Sequence, residues 1–192
     1  GSDGRRGLRR LEQGALGELP QQRPLGVVDV LDVGETEDGR AFLVMELLEG
    51  QTIAQRVRED GALPLDQAHT LLVELTDALT HVHQHRVIHR DLKPSNILLT
   101  AHQSLPRAKV IDFGIARTHD SEQTMQGTAL GTPGYMAPEL WPSDRAEPTT
   151  GRVDVYAMGV VLYQMLTGVK PFRSRDLLVL AACHRSKPVP TF

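Results

Sequence analysis

Cysteine, long apolar runs and excess positive charge are all scarce in this sequence, and each scarcity excludes a class of protein. The 192 residues include one cysteine, Cys183, so no internal disulfide can form and a reducing compartment, the cytoplasm, is expected. No apolar run reaches the roughly 18 residues that cross a membrane, because polar side chains interrupt the most apolar stretch, 153–169. A longer parent protein could still be membrane-anchored. The net charge of −3 argues against nucleic-acid binding.

The rest of the composition, with 40% apolar and 23% charged residues, is typical of one globular domain. Within it the segment 89–96, His-Arg-Asp-Leu-Lys-Pro-Ser-Asn, concentrates groups that can do chemistry. The Asp91 carboxylate can accept a proton, the Lys93 ammonium can stabilise a negative oxygen, and the Asn96 amide offers an oxygen to a hard cation. Because Pro94 cannot continue a helix, we expect these groups on a loop between two apolar segments.

Two further motifs follow this segment in order. Asp112-Phe113-Gly114 comes directly after a short apolar run that is typical of a strand. The segment 131–139, Gly-Thr-Pro-Gly-Tyr-Met-Ala-Pro-Glu, ends in an Ala-Pro-Glu triplet. The three motifs together resemble those of the eukaryotic-type protein kinases. In its general character the sequence resembles the bacterial Ser/Thr kinases. The resemblance extends over most of the chain.

The resemblance implies an α+β, protein-kinase-like fold, with a mostly helical C-lobe and a remnant β-hairpin of the N-lobe. Residues 25–192 are then a partial kinase domain, divided into the N-lobe remnant and hinge at 25–50 and, at 51–192, a C-lobe that lacks its last helices. For residues 1–24 we expect a poorly ordered lead-in. The alternative is a degraded small-lobe helix in which Glu12 is the family's paired glutamate, although glycines within it disfavour a helix.

Hydrophobic periodicity and turn residues predict the elements around the motifs. The predicted strands are 25–33, 41–48 and 108–111, and the predicted helices are 52–60, 66–85, 152–166 and 176–184. The third of these helices is apolar nearly all round, so it should lie inside the domain. Asp154 is its exception, and a buried carboxylate needs hydrogen-bond partners. Gly168 is predicted to end this helix.

A nucleotide site is implied at the end of the hairpin. The resemblance places Met45 at the gatekeeper position, the backbones of Glu46 and Leu48 at the edge of the adenine, and Leu98 beneath the ring. The plainer alternatives are a surface hairpin and a core leucine. The position of the hairpin ahead of the catalytic segment favours the nucleotide site.

The resemblance also implies the cofactors, ATP and Mg²⁺, and a role for each of four residues in phosphoryl transfer. Asp112 would hold the Mg²⁺ that bridges the terminal phosphates, and Asn96 would hold a second ion, since carboxylate and amide oxygens are hard ligands. Asp91 would orient the acceptor hydroxyl and take its proton. Lys93 would offset charge on the transferred group. For Asp112-Phe113-Gly114 alone, the alternative is a simple turn at the end of a strand.

The acceptor and the regulation are implied by a second group of residues. Thr132 in the family lies against the catalytic aspartate, and together with Lys93 it predicts Ser or Thr acceptors rather than Tyr. Residues 115–136 would form the activation segment. Arg90 would bind a phosphate there, with Thr124 or Thr128 as the autophosphorylation site.

Other residues are implied to be structural. They are His89, Phe113, Gly114, Glu139 and Asp154, the last of which would bond the backbone of the catalytic loop. His81 and His85 are spaced to share a metal ion on one helix face, but no third ligand completes the spacing. We therefore interpret them as ordinary histidines.

Two expected parts have no counterpart in these residues. No lysine precedes Lys93, and no glycine-rich segment precedes the hairpin. Losing one preorganised charge-stabilising donor costs on the order of 10²–10³ in rate, so we expect these 192 residues to be weakly active or inactive. The alternative is a pseudokinase-like module that binds proteins without phosphotransfer. Small-molecule kinases are disfavoured by Lys93 and by segment 131–139, which serves peptide substrates. The expected partners are protein substrates, and the sequence does not predict an oligomeric state.

Overall fold

The computed structural model describes most of the chain. The described residues are 8–10, 26–36, 38, 40–100, 107–112, 132–141 and 148–191, without the side chains of 8–10 and 41. Several residues singled out in the sequence lie outside this part of the chain: Glu12, Phe113, Gly114, Thr124 and Thr128. The elements given below are those of the described residues.

The first sheet is antiparallel and has three strands in the order β1-β2-β3. Its strands are β1 (Leu8–Arg10), β2 (Val30–Thr36) and β3 (Ala41–Met45). β2 and β3 form the predicted hairpin, with Val33 opposite Leu43. β1 pairs with the other edge of β2. The helical alternative for the lead-in is therefore wrong at Leu8–Arg10, because these residues satisfy their backbone groups across the open edge of β2 instead of along a helix.

The second sheet is also antiparallel, in the order β4-β5-β6. Its strands are β4 (Gly50–Thr52), β5 (Ile97–Thr100) and β6 (Arg107–Val110), of which β6 matches the predicted strand 108–111. Sequence periodicity does not predict β4, because three residues carry too little alternation. Gly50 permits this pairing: its φ is 153°, and a Cβ there would lie 2.1 Å from the Leu99 carbonyl oxygen.

The chain between β1 and β2 connects the two sheets. Val28 N–H donates to the carbonyl of Val110 over 3.0 Å, and Val110 N–H donates to the carbonyl of Gly26 over 2.8 Å. Val27 and Val110 also form an isolated parallel bridge. The strand that ends just before Asp112 is therefore held on the side facing the first sheet.

Four helices lie in the described part of the chain, each close to a predicted one. They are α1 (Ile53–Asp60), α2 (Leu65–Gln84), α3 (Arg152–Thr167) and α4 (Leu177–Ser186). Thr52 and Gln55 form a capping box at the start of α1, in which each side chain accepts the other residue's N–H. The Asp176 carboxylate accepts from two N–H groups in the first turn of α4.

The main core lies between α2, α3 and the second sheet. α2 turns one apolar stripe inward because its apolar residues recur at intervals of three and four. The buried residues of that stripe are Ala68, Leu71, Leu75, Ala78, Leu79 and Val82. They pack in one cluster with residues of α3 and of β5 and β6, among them Val161, Met165, Ile97 and Val110. The loop that joins α2 to β5 is thus held by buried elements at both of its ends.

Two glycines of α3 allow a test of backbone conformation at matched sites. Gly168 ends the helix with φ 75°, in the left-handed region, whereas Gly159 is helical and has open space around its Cβ position. We expect Gly168→Ala to lower the free energy of unfolding by about 1–2 kcal/mol. Gly159→Ala should raise it by about 0.5–1 kcal/mol. Urea unfolding followed by circular dichroism measures both, and a loss of stability from both substitutions would contradict this account of Gly168.

Candidate active site

His89 lies at the centre of the loop between α2 and β5 and is fully buried. Its Nε2–H donates to the Ile111 carbonyl over 3.1 Å, and its Nδ1 accepts from the Asp91 N–H over 3.2 Å. These two contacts require a neutral ring with its proton on Nε2. Burial lowers the pKa of His89 below its ordinary value of 6.5, in spite of the carboxylates nearby. A neutral imidazole therefore fixes the backbone of Asp91.

The Asp154 carboxylate, 1% exposed at the start of α3, holds the same loop from the other side. Its Oδ2 accepts from the His89 N–H and its Oδ1 from the Arg90 N–H, each over 2.9 Å. His83 Nε2, on the last turn of α2, lies 2.8 Å from Oδ2. Arg90 has a φ of 65°, a left-handed conformation that costs a non-glycine residue about 1–2 kcal/mol. The contact with Asp154 offsets that strain and fixes the chain just ahead of Asp91.

Asp91, Lys93 and Thr132 form a triangle of hydrogen bonds. Lys93 Nζ donates to Asp91 Oδ2 over 2.6 Å and to Thr132 Oγ1 over 2.9 Å. The Thr132 N–H donates to Asp91 Oδ1 over 3.2 Å. Asp91 and Lys93 are each about a quarter exposed, so solvent and a substrate can reach them. A partly shielded carboxylate beside an ammonium is suited to bind a hydroxyl and accept its proton.

A backbone hydrogen bond connects Asn96 to the residue that precedes Asp112. Asn96 ends a short 3₁₀ turn and is buried, and its Nδ2 donates to the Asp91 carbonyl over 3.0 Å. Its own carbonyl accepts from the Ile111 N–H over 2.9 Å, which places Asp112 next in the chain. Asp112 is exposed and has a φ of 56°. The Asn96 Oδ1 accepts a hydrogen bond from Ser95 Oγ over 3.4 Å.

This donor set fits a magnesium ion. Mg²⁺ is usually held by one or two protein carboxylates together with phosphates and waters, not by a complete cage of side chains. One carboxylate, Asp112, and one amide oxygen, Asn96, meet that need. Among the described residues no cluster of three or more His, Cys, Asp or Glu side chains could hold a metal by itself.

The residues proposed for the nucleotide base occupy the end of β3 and the middle of β5. Met45 is the last residue of β3 and is 38% exposed. Leu48, in the connection to β4, and Leu98, in β5, are both half-buried. These residues offer apolar side chains that are only partly covered.

Glu46 has a structural contact that the sequence did not reveal. Its N–H donates to the Asp29 carbonyl and its Oε1 accepts from the Asp29 N–H, each over 2.9 Å. The same carboxylate binds Lys109 Nζ on β6. The Glu46 side chain therefore ties the end of the first sheet to the strand that leads to Asp112, in addition to any role of its backbone.

Comparison with known proteins decides the family. The model of the protein kinase domain family matches residues 19–187, which is most of the chain. The chain belongs to the protein kinase family. The resemblance seen in the three motifs is thus confirmed.

Individual relatives agree with this assignment. A probable serine/threonine-protein kinase of Clostridium perfringens is 39% identical over 166 residues, which are 85% of this chain and 23% of that protein. Serine/threonine-protein kinase pkn3 of Myxococcus xanthus is 38% identical over 169 residues, again 85% of this chain and 30% of that protein. The chain therefore spans less than a third of the length of these curated relatives.

A solved structure of the family shows the same fold. The crystal structure of Rad53, residues 1–466, in complex with AMP-PNP matches with a TM-score of 0.69 and 28% identity. The match covers 88% of this chain and 40% of the Rad53 chain. The predicted α+β, protein-kinase-like fold is confirmed. None of the helices in the described part of the chain combines the length and apolarity needed to cross a membrane.

Within this kinase fold, His83 is the site residue that sequence reasoning missed. Its position on α2 gave no signal beyond that of the other histidines nearby, because its partner, Asp154, lies far away in the sequence. His81 and His85 instead stack, with ring centroids 4.6 Å apart, and His85 Nδ1 lies 2.8 Å from the His81 carbonyl. Glu139 is exposed in the turn Pro138–Leu140.

The neutral state of His89 predicts a pH dependence of stability. The unfolded chain takes up a proton as the pH falls through the ordinary value of 6.5, whereas the folded chain, with its lowered pKa, does not. The free energy of unfolding should therefore be highest above that value and decrease as the pH falls below it. His184, whose pKa is also lowered by burial, acts in the same direction. Urea unfolding at about pH 7.5 and about pH 5.5 measures the difference.

Variants separate the contribution of His89 from that of other histidines. His89→Asn should reduce the pH dependence, since asparagine does not titrate there. His69→Asn, on the exposed face of α2, should leave it unchanged. A pH dependence that His89→Asn leaves unchanged would contradict a neutral, buried His89.

Proposed function

We propose that this chain carries the catalytic residues of a Ser/Thr protein kinase, which transfers the γ-phosphoryl group of Mg-ATP to hydroxyl groups of proteins. The observation that carries the proposal is the triangle in which Lys93 and Thr132 hold the Asp91 carboxylate. The relatives at 38% and 39% identity, all named as serine/threonine-protein kinases, support the same activity. The AMP-PNP bound to Rad53 supports ATP as the nucleotide.

In the proposed reaction the acceptor hydroxyl donates a hydrogen bond to Asp91. Its oxygen forms a bond to the γ-phosphorus as the bond from that phosphorus to the bridging oxygen of ADP breaks, and the proton passes to Asp91. Lys93 lies between Asp91 and Thr132, where its ammonium can stabilise negative charge on the group in transit. His89 and Asp154 keep the loop in position throughout.

Asn96 and Asp112 are proposed to hold the magnesium ion that accompanies ATP. When bound, the cation would neutralise charge on the phosphate oxygens. The proposed contacts with the base are the side chains of Met45 and Leu98 and the backbones of Glu46 and Leu48. Half-buried apolar side chains are suited to the faces of a purine, and backbone polar groups to its edge.

Thr132 and Lys93 are proposed to select Ser and Thr acceptors. A hydroxyl on a short side chain can reach Asp91 while its backbone passes close to Thr132, whereas a tyrosine hydroxyl lies farther from its own backbone. Arg90 is proposed to bind a phosphate on the activation segment, and Thr124 or Thr128, outside the described residues, is the proposed modification site. Glu139 is proposed to be structural.

A second candidate function rests on one observation in the sequence. No lysine precedes Lys93 in the 192 residues, so no upstream ammonium of this chain can bind the α- and β-phosphates. We therefore propose that these residues by themselves transfer phosphate slowly or not at all. A pseudokinase-like module, which binds proteins without transferring phosphate, is the alternative that the same observation favours.

Titration with ATP and a transfer assay separate the two functions. A kinase site should bind a fluorescent ATP analogue in a Mg²⁺-dependent manner, and Asp112→Asn should abolish that dependence because the carboxylate is lost. The assay of ³²P transfer to a mixed protein substrate, followed by phosphoamino acid analysis, should give phosphoserine or phosphothreonine and no phosphotyrosine. Mg²⁺-dependent nucleotide binding without any transfer, even at high concentration of the chain, would favour the pseudokinase. Binding that ignores Mg²⁺ would contradict the proposed site.

A further inference from the structure

A second cavity opens beside the catalytic triangle. Its volume is about 350 Å³, and it lies between the turn Pro133–Tyr135, the end of α3 and the connection to α4. Polar and charged side chains line its entrance, namely Thr132, Gln164, Lys170, Arg173 and Ser174. Phe172, Leu177 and Leu180 supply an apolar wall. The cavity is large enough for one side chain of a bound peptide.

The charged side chains that line this cavity in the described part of the chain are both cationic. Lys170 and Arg173 line it, and no acidic side chain among the described residues does. The nearby Asp176 carboxylate is engaged with the first turn of α4. Within the described part of the chain neither cation forms an ion pair. Among the described residues that line the cavity, the two charged ones are therefore both positive.

Lys170 is held in place at the cavity wall. Its Nζ lies 4.8 Å from the centre of the Tyr135 ring, and a Cβ at Gly134 would lie 3.0 Å from the same nitrogen. Tyr135 is fixed in turn by a hydrogen bond from its hydroxyl to Gln164 Oε1 over 2.5 Å. Glycine at position 134 thus leaves the room that the ammonium occupies.

The surroundings of Lys170 disfavour its charged form. Burial, together with the positive charge of Arg173, lowers the pKa of Lys170 below its ordinary value. A negative group in the cavity would remove this cost, because it would offset both charges. The site is therefore suited to an anion and unsuited to a cation.

The cavity also lies next to the acceptor site. Thr132 lines it, and the same threonine accepts from Lys93 Nζ through its hydroxyl and donates to Asp91 through its N–H. A peptide whose hydroxyl meets Asp91 therefore passes the entrance of the cavity within a few residues. A side chain near the acceptor in the substrate sequence can enter it.

We propose that this cavity binds an anionic side chain of the protein substrate near the accepting Ser or Thr, with Lys170 and Arg173 as the residues that determine this specificity. The anionic group is a carboxylate of Asp or Glu or a phosphate already present on a neighbouring residue. The proposal rests on the proposed kinase function, since it needs a peptide with its hydroxyl at Asp91. It adds a preference that the three motifs do not contain.

Binding of labelled peptides to the 192-residue chain tests the proposal without requiring turnover. Each peptide has one acceptor serine, and glutamate, glutamine, lysine or phosphoserine is placed in turn at each flanking position. Fluorescence anisotropy should show, at one position or more, about fivefold tighter binding with glutamate than with glutamine, and weaker binding with lysine. The comparison of glutamate with phosphoserine then decides which anion the site prefers.

Matched variants assign the preference to the cavity. Lys170→Gln and Arg173→Gln should each bring glutamate and glutamine peptides to within about twofold of each other. Arg175→Gln removes an exposed cation that does not line the cavity and should keep the preference. An unchanged unfolding midpoint shows that each variant is folded. Equal binding of glutamate and glutamine peptides to the unsubstituted chain, or a preference that survives in Lys170→Gln and Arg173→Gln, would overturn the proposal.

The same experiment distinguishes a failure of this inference from a failure of the kinase function. If the chain lacks phosphotransfer activity, peptides with and without glutamate still differ in affinity, because binding does not require ATP. If the cavity has no preference, transfer to a mixed protein substrate is unaffected. The two proposals can therefore fail independently.

Discussion

Replacing Asp91 with asparagine is expected to lower the rate of phosphoryl transfer by about 10²–10⁴-fold, the usual contribution of a general base. The substitution keeps the size of the side chain, and an amide oxygen can still accept from the Thr132 N–H. It removes the group that takes the proton and the charge that holds Lys93. Because the unsubstituted chain is itself expected to transfer phosphate slowly, ³²P transfer is followed at a high concentration of the chain and over long incubation. A fluorescent ATP analogue measures the affinity for nucleotide, which should change little.

Asp77→Asn is the matched control for this substitution. Asp77 lies on the exposed face of α2, and its replacement should leave both the rate and the nucleotide affinity unchanged. A variant at position 91 that transfers phosphate as fast as the unsubstituted chain would exclude Asp91 as the base. A parallel loss of nucleotide affinity would instead indicate that Asp91 helps to bind the phosphates.

The largest effect on stability is expected from Asp154→Ala, about 3–5 kcal/mol. The substitution leaves the N–H groups of His89 and Arg90 without their acceptor, and it removes the partner of His83. It also removes the contact that offsets the strained backbone of Arg90. Since a domain of this kind is stable by about 5–15 kcal/mol, a substantial population should unfold under mild conditions. Urea unfolding followed by circular dichroism gives the change.

Two further variants, Asp154→Asn and Asp77→Ala, show whether the loss of stability comes from the buried contacts of Asp154. Asparagine retains one acceptor oxygen. The free energy of unfolding of Asp154→Asn should therefore lie between that of Asp154→Ala and that of the unsubstituted chain. Asp77→Ala removes an exposed carboxylate and should change the free energy of unfolding by no more than about 0.5 kcal/mol. A loss of less than about 1 kcal/mol for Asp154→Ala would mean that its three contacts are not formed in solution.

Much of the fold could be predicted because its strongest signals are local. The apolar stripe of α2 and the continuous apolar surface of α3 gave both helices nearly to the residue, and Gly168 ended the second of them. β4 escaped prediction because its pairing with β5 depends on residues far along the chain. β1 was missed for the same reason, since no local sequence pattern shows that it pairs with β2.

In the candidate site, too, the sequence predicted some features and not others. Asp91, Lys93 and Asn96 stand in one segment, so their proximity followed from sequence alone, and the motif order suggested Thr132 and Asp112. The sequence did not predict the residues that hold these side chains in position. The contact of His83 with Asp154 and that of Glu46 with Lys109 depend on how helices and strands pack, which residue type and spacing do not fix. The cavity at Lys170 also needs α3, α4 and a 3₁₀ turn to meet.

The pairing of Lys109 with Glu46 bears on the charge balance of a bound nucleotide. Lys109 lies on the strand that leads to Asp112, three residues before it. It is already bound to a carboxylate that is itself only 26% exposed, and drawing it away would leave that carboxylate poorly solvated. Lys109 is therefore a poor counter-charge for a phosphate, and we expect divalent cations to supply much of that charge. Chelating those cations should weaken ATP far more than it weakens adenosine, which carries no phosphate.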